Sequence, residues 1–137
     1  MVETRRANYA LLPFLEHLGP TADGLDVPWA EFVGNRSSRR TFTVLSADVT
    51  DPYLELQVYD VGTFGHEILV NDEPLTGFDL PPGDGWQYWM DGITDLELQA
   101  GENAVQIRRD KTSDDAFAVG NVVVNWKEPV DTREPIE

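Results

Sequence analysis

The segment "YLELQVYDV", residues 53 to 61, alternates apolar and polar side chains with a period of two. Leu54, Leu56 and Val58 fall on one side, and Glu55, Gln57 and Tyr59 on the other. An extended strand with one buried face satisfies that pattern, whereas a helix would scatter the same residues around its circumference. The alternation returns in "HEILVND", where Ile68 and Val70 oppose Glu67 and Leu69, and in "AVQIRR", where Val105 and Ile107 oppose Gln106 and Arg108. "TFTVL" and "WAEFV" predict two shorter strands, and "TDLELQ" predicts another that leads through the turn "AGEN" into "AVQIRR". "FAVGNVVVNW", residues 117 to 126, is apolar on both faces and predicts a central strand covered from both sides. At the start, "NYALLPFLEHLG" predicts a strand that turns at Pro13, because proline breaks a long helix. Short strands at this spacing predict an all-β fold: a single antiparallel β-sandwich of the jelly-roll kind with an irregular N-terminal segment. The domain is expected over residues 1–127, with "EPVDTREPIE", residues 128–137, as a solvated tail.

At 137 residues the chain is long enough to bury a core without staples, and it has no cysteine for a disulfide or a thiolate metal site. The apolar run near the N-terminus is interrupted by Pro13, Glu16 and His17, and it lacks a small-residue cleavage site. No stretch approaches the roughly 20 apolar residues of a membrane span. The expected location is the cytoplasm, or a virion that the protein helps to build. The 25 acidic residues outnumber 10 basic ones, for a formal net charge of −15, and only Lys111 and Lys127 are lysines. Such a surface repels nucleic acid and anionic lipid, so neither is expected as a partner. A lysine-poor acidic surface is also what a halophilic protein presents in molar salt. The melting temperature is therefore expected to rise between low and molar potassium chloride, and a flat response would remove the halophile reading.

The run "VYDVGTFGHEILVNDEPL", followed by "LELQAGENAVQIRR" and "DDAFAVGNVVVNW", resembles the galactose-binding-domain-like jelly rolls. In these a strand ending in Val-Asn-Gly or Val-Asn-Asp precedes a Gly-x-Asn hairpin and a long final strand. The resemblance implies a carbohydrate-like ligand held by end loops and, often, a structural calcium ion. The whole chain is also similar to small acidic haloarchaeal proteins, a resemblance that carries no activity with it.

Aromatic residues concentrate in "PPGDGWQYWMDG", residues 81 to 92. The period of two sets Trp86, Tyr88 and Met90 against Gln87, Trp89 and Asp91. If successive strands run antiparallel from "TFTVL" onward, loops 61–65, 79–85 and 99–102 share one end of the sandwich. Trp86, Trp89, Tyr88, Phe64, Phe78 and Asp84 then form a candidate ligand-binding set, unless these aromatics only fill the core. The opposite end receives residues 47–53, 71–73, 91–94 and 110–116. There Asp110, Asp114 and Asp115 would meet Asp48, Asp51 and Asp72, either as calcium ligands or as solvated carboxylates. Arg36, Arg39, Arg40, Arg108 and Arg109 pair with surrounding acids or contact an acidic neighbouring subunit in a homo-oligomer.

Enzyme signatures are weak. The two histidines, His17 and His66, form no His-x-His cluster, and no Gly-x-Ser-x-Gly elbow is present. Three function classes follow: a non-catalytic binding module with a carbohydrate or protein partner, a structural subunit of a virion or multiprotein particle, and, least supported, a glycoside-active enzyme.

Overall fold

A computed structural model describes residues 4–75, 79–94 and 96–130 of the chain. Among these, nine strands follow in order: β1 (Arg5–Leu18), β2 (Glu31–Gly34), β3 (Arg40–Val44), β4 (Thr50–Tyr59), β5 (Glu67–Val70), β6 (Glu73–Pro74), β7 (Trp86–Gly92), β8 (Gly101–Arg108) and β9 (Phe117–Pro129). They form a five-stranded sheet, β2-β1-β9-β4-β7, and a four-stranded sheet, β3-β8-β5-β6. All pairings are antiparallel except β1 with β2. The two sheets make the expected sandwich. The alternating residues that predicted a buried face, Leu56, Val58, Ile68, Val70, Val105 and Ile107, all join the core cluster between the sheets. β9, apolar on both faces, is the middle strand of its sheet, between β1 and β4.

Three expectations need correction. The first strand does not turn at Pro13. It continues to Leu18, with a register shift against β9 between Pro13 and Glu16 and a positive φ of 50° at Leu15. A bulge of this kind accommodates a residue that has no N–H to give to the ladder. The sandwich also extends past residue 127, because β9 runs to Pro129 and Glu128 is buried. Of the expected tail, residues 131–137 lie outside the described residues.

The third correction concerns "TDLELQ", of which Asp95 lies outside the described residues; the others form no strand. Both flanks of β8 are already taken, by β3 and β5, so no ladder remains for this segment to join there. Leu96 and Leu98 instead pack against the core. Removing one crossing reverses the parity of everything downstream. Residues 110–116 therefore share an end with 60–65 and 81–85, and residues 99–103 share the other end with 71–73.

The turn asparagines explain why this topology closes where it does. Asn71 and Asp72 both have positive φ, 51° and 69°, between the paired residues Val70 and Glu73, as a two-residue hairpin turn requires. The Asn71 amide donates to Asn103 Oδ1 at 2.9 Å. Asn103 in turn donates to the carbonyls of Gln99 and Gly101 and accepts from the Gln99 N–H. Asn103→Ala is expected to lower stability by about 2–3 kcal/mol, since one buried side chain holds the Asn71 amide and the Gln99 and Gly101 backbone together. A denaturant midpoint unchanged by the substitution would show that water replaces the side chain.

Candidate binding face

The register of β7, β4, β9 and β1 sets out the outer face of the five-stranded sheet in rows. Met90 lies opposite Glu55, Glu55 opposite Val123, and Val123 opposite Leu11. The next row towards the start of β9 holds Tyr88 and Gln57, and the one after it holds Trp86, Tyr59 and Ala118. Because inward positions on β4 are Leu54, Leu56 and Val58, the residues in these rows lie on the opposite side of the sheet, and all but the fully buried Ala118 are at least partly exposed.

Trp86 is 50% exposed, Tyr88 57% and Met90 63%, so this face is not core. Trp29 joins it from the loop that precedes β2. Buried Val27 anchors that loop, and the Ala30 N–H donates to the Val27 carbonyl to turn the chain. The Trp29 ring centroid lies 5.4 Å from that of Tyr59 and 5.3 Å from that of Trp86, and Tyr59 and Trp86 are 5.3 Å apart. These are ordinary spacings for attractive aromatic pairs. Trp86 reaches across β4 to Gly120 on β9, where an added Cβ would come within 3.0 Å of the indole. A glycine there lets the ring lie close to the sheet. Polar groups flank the rings: Gln57 Oε1 accepts from the Asn121 N–H, and Asn125 donates to Glu55.

Of the expected aromatic set, Trp86 and Tyr88 stand on this face. Trp89 is on the other side of β7, partly buried against the core, with its indole N–H donated to Gln87 Oε1 at 3.0 Å. Phe64 is exposed in the loop between β4 and β5, and Asp84 is exposed in the loop before β7. Phe78 lies outside the described residues. Two members of the cluster were missed. Tyr59 carried a signal, since it shares the polar side of the β4 alternation; Trp29 sits in a loop with no periodicity to betray it.

The acidic set separates. Asp110 and Asp115 meet around His66, whereas Asp48 pairs with Arg5, Asp51 with Lys127 and Asp72 with Arg39, all towards the far end of the sandwich. Asp115 accepts the N–H groups of Gly62 and Thr63 and the Nε2–H of His66 at 2.7 Å. The Asp110 N–H donates to His66 Nδ1, which leaves Nε2 as the nitrogen that carries the proton. The Asp110 carboxylate accepts from the Thr112 hydroxyl and N–H, which hold it below the usual carboxylate range. Asp114 is exposed. Among the described residues no group of three or more His, Asp or Glu side chains is placed to hold a metal ion. The fully buried His66 has both nitrogens engaged and Phe117 stacked at 4.4 Å, so the pair with Asp115 ties two loops together.

His17 lies near the aromatic rows, buried beneath Phe32, with Nε2 lacking a hydrogen-bond partner. Burial pushes its pKa below 6.5. Stability from the neutral ring is complete above pH 6.5 and is lost as the pH falls towards the folded-state value. The denaturant midpoint is expected to drop between pH 7 and 5, and His17→Phe is expected to flatten that drop. An equal drop in the variant would assign it to other groups.

No curated protein sequence matches the chain. Among solved structures, the CBM36-1 domain of a multidomain xylanase from the hindgut metagenome of Trinervitermes trinervoides is similar, with TM-score 0.55, 9% identity, and coverage of 85% of this chain and 96% of that one. A family 35 carbohydrate binding module from an environmental isolate is similar with TM-score 0.52 and 15% identity, covering 88% of this chain and 97% of that one. At these identities the likeness shows the fold, a jelly-roll sandwich. The family of unknown function DUF7383 matches residues 6–128, and the chain belongs to that family.

Proposed function

We propose that the protein is a non-catalytic binding module whose ligand, a carbohydrate, lies on the outer face of the five-stranded sheet. The observation that carries this reading is the cluster of the exposed Trp29 and Trp86 around the partly buried Tyr59, continued by Tyr88 and bordered by Gln57 and Asn121. Flat rings supply apolar area for the faces of sugar rings, and neighbouring amides supply hydrogen bonds for hydroxyls. The sandwich likeness to carbohydrate-binding modules supports the ligand class by analogy. A glycan array followed by titration of the best ligand tests it. Trp86→Ala and Tyr88→Ala are each expected to weaken binding by about 2 kcal/mol or more with little change in fold, because both rings stand largely in solvent. No glycan binding, or binding indifferent to both substitutions, would overturn the reading.

A second reading has its own support. Apolar side chains recur across the sheet at Met90, Val123 and Leu11, with Glu55 between the first two, and Tyr9 on the same side is also exposed. That breadth suits an assembly subunit docking on a protein partner or on a second copy of itself. Native mass or light scattering at high salt would then give an oligomer, and Leu11→Asp would dissolve it.

A further inference from the structure

Beyond the aromatic face, the geometry points to a binding site for a small tetrahedral oxyanion, a phosphate or sulfate group, in the cleft beside the end of β8. The cleft has a volume of about 440 Å³ and is lined by Arg36, Arg108, Arg109 and Lys111 together with Glu67 and Asp110. Four of the ten basic residues of a chain with net charge −15 thus converge on one concavity, against two acids.

Two features of that convergence conflict with local stability. Arg36 and Arg108 are bridged cross-strand partners, a placement that sets two like charges side by side. Arg108 is relieved by Glu67 on its other flank, whose carboxylate accepts from Nε at 3.0 Å. Among the described residues Arg36 and Lys111 have no ion-pair partner, although 25 acids are on hand to supply one. The second feature is Arg109, which is 5% exposed. Its guanidinium donates to the Asn35 side chain and to the carbonyls of Asp110, Ser113 and Asp115, all neutral oxygens, and forms no ion pair among the described residues. A buried cation whose hydrogen bonds all go to neutral oxygens, with only the nearby Asp110 carboxylate to offset it, keeps part of its positive field available to whatever enters beside it. A local conflict without a compensating contact in the free protein is what a ligand site leaves behind. Arginine forks and an ammonium suit an oxyanion that offers oxygens in several directions.

The experiment is a titration of the intact chain with sodium sulfate and with sodium phosphate, against sodium chloride at matched ionic strength, read by thermal shift and calorimetry. The expected result is a saturable stabilisation by sulfate, phosphate or both. Arg36→Gln and Lys111→Gln should each weaken it about tenfold to a hundredfold, the effect of losing one charge-assisted contact. Arg36→Gln should melt no lower than the parent chain without anion, because it removes a like-charge pair. Saturation by both anions marks the shared oxyanion, and saturation by one names the acid that the natural ligand carries. General exclusion of sulfate from protein surfaces would raise the melting temperature without saturation and equally in the variants. That outcome, or a response no different from chloride, would overturn the site.

Discussion

Phe117→Ala is expected to lower the free energy of unfolding by about 3–5 kcal/mol. The side chain is fully buried at the start of β9, the middle strand of the five-stranded sheet, opposite Leu18. Its ring stacks on His66, which leads into β5 of the other sheet, so Phe117 joins the two layers. Alanine would leave a void walled by both sheets, and neither can move inward without breaking its ladder. The denaturant midpoint should fall while the slope of the transition stays the same. A loss below about 1 kcal/mol would mean that the surrounding side chains collapse into the space.

Asp115→Ala is expected to be the most damaging change among the carboxylates, at about 3–4 kcal/mol. The side chain is pressed against Gly62, where even an added Cβ would lie 2.6 Å from its oxygen. Losing it strands the Nε2–H of a histidine that has no access to water and frees the exposed N–H groups of Gly62 and Thr63 from the loop contact they make. Asp115→Asn should fall in between, since an amide offers one acceptor oxygen where the carboxylate offers two. Asp114→Ala, one position away but exposed, should change stability by less than about 0.5 kcal/mol. Equal effects at the two positions would show that the aspartates serve only as solvated charge.

The contrast between these neighbours shows what a single sequence does and does not disclose. Period-two alternation identified β4, β5 and β8 and their inward residues, because burial of one face is a local property of the strand. It also separated Trp86 and Tyr88 from Trp89 correctly. Pairing is not local. Nothing in "TDLELQ" reveals that both flanks of β8 are occupied, so a convincing strand pattern became a packed loop, and Asp110, Asp114 and Asp115 were assigned to the wrong end. The same limit hid the partners of "DKTSDD": only the fold brings Asp115 to His66, and only the fold lays Trp29 against Tyr59. Pro13 misled for a different reason. Its missing N–H can end a strand or sit in a bulge, and the choice depends on the neighbouring strand.

β1 and β9 pair along nearly their whole length, with Arg5 opposite Pro129 and Leu18 opposite Phe117. The chain thus enters and leaves the sandwich side by side. The rings of Trp29, Tyr59 and Trp86 stand near the other end of β9, and a strand of 13 residues spans roughly 40 Å. A bead, a fluorophore or a reporter attached at Thr4 or Val130, which are joined by a backbone hydrogen bond, would therefore sit a full domain length from the aromatic cluster. Tethered this way on a sensor chip, the protein would hold that cluster away from the support, and both attachment points should give the same signal.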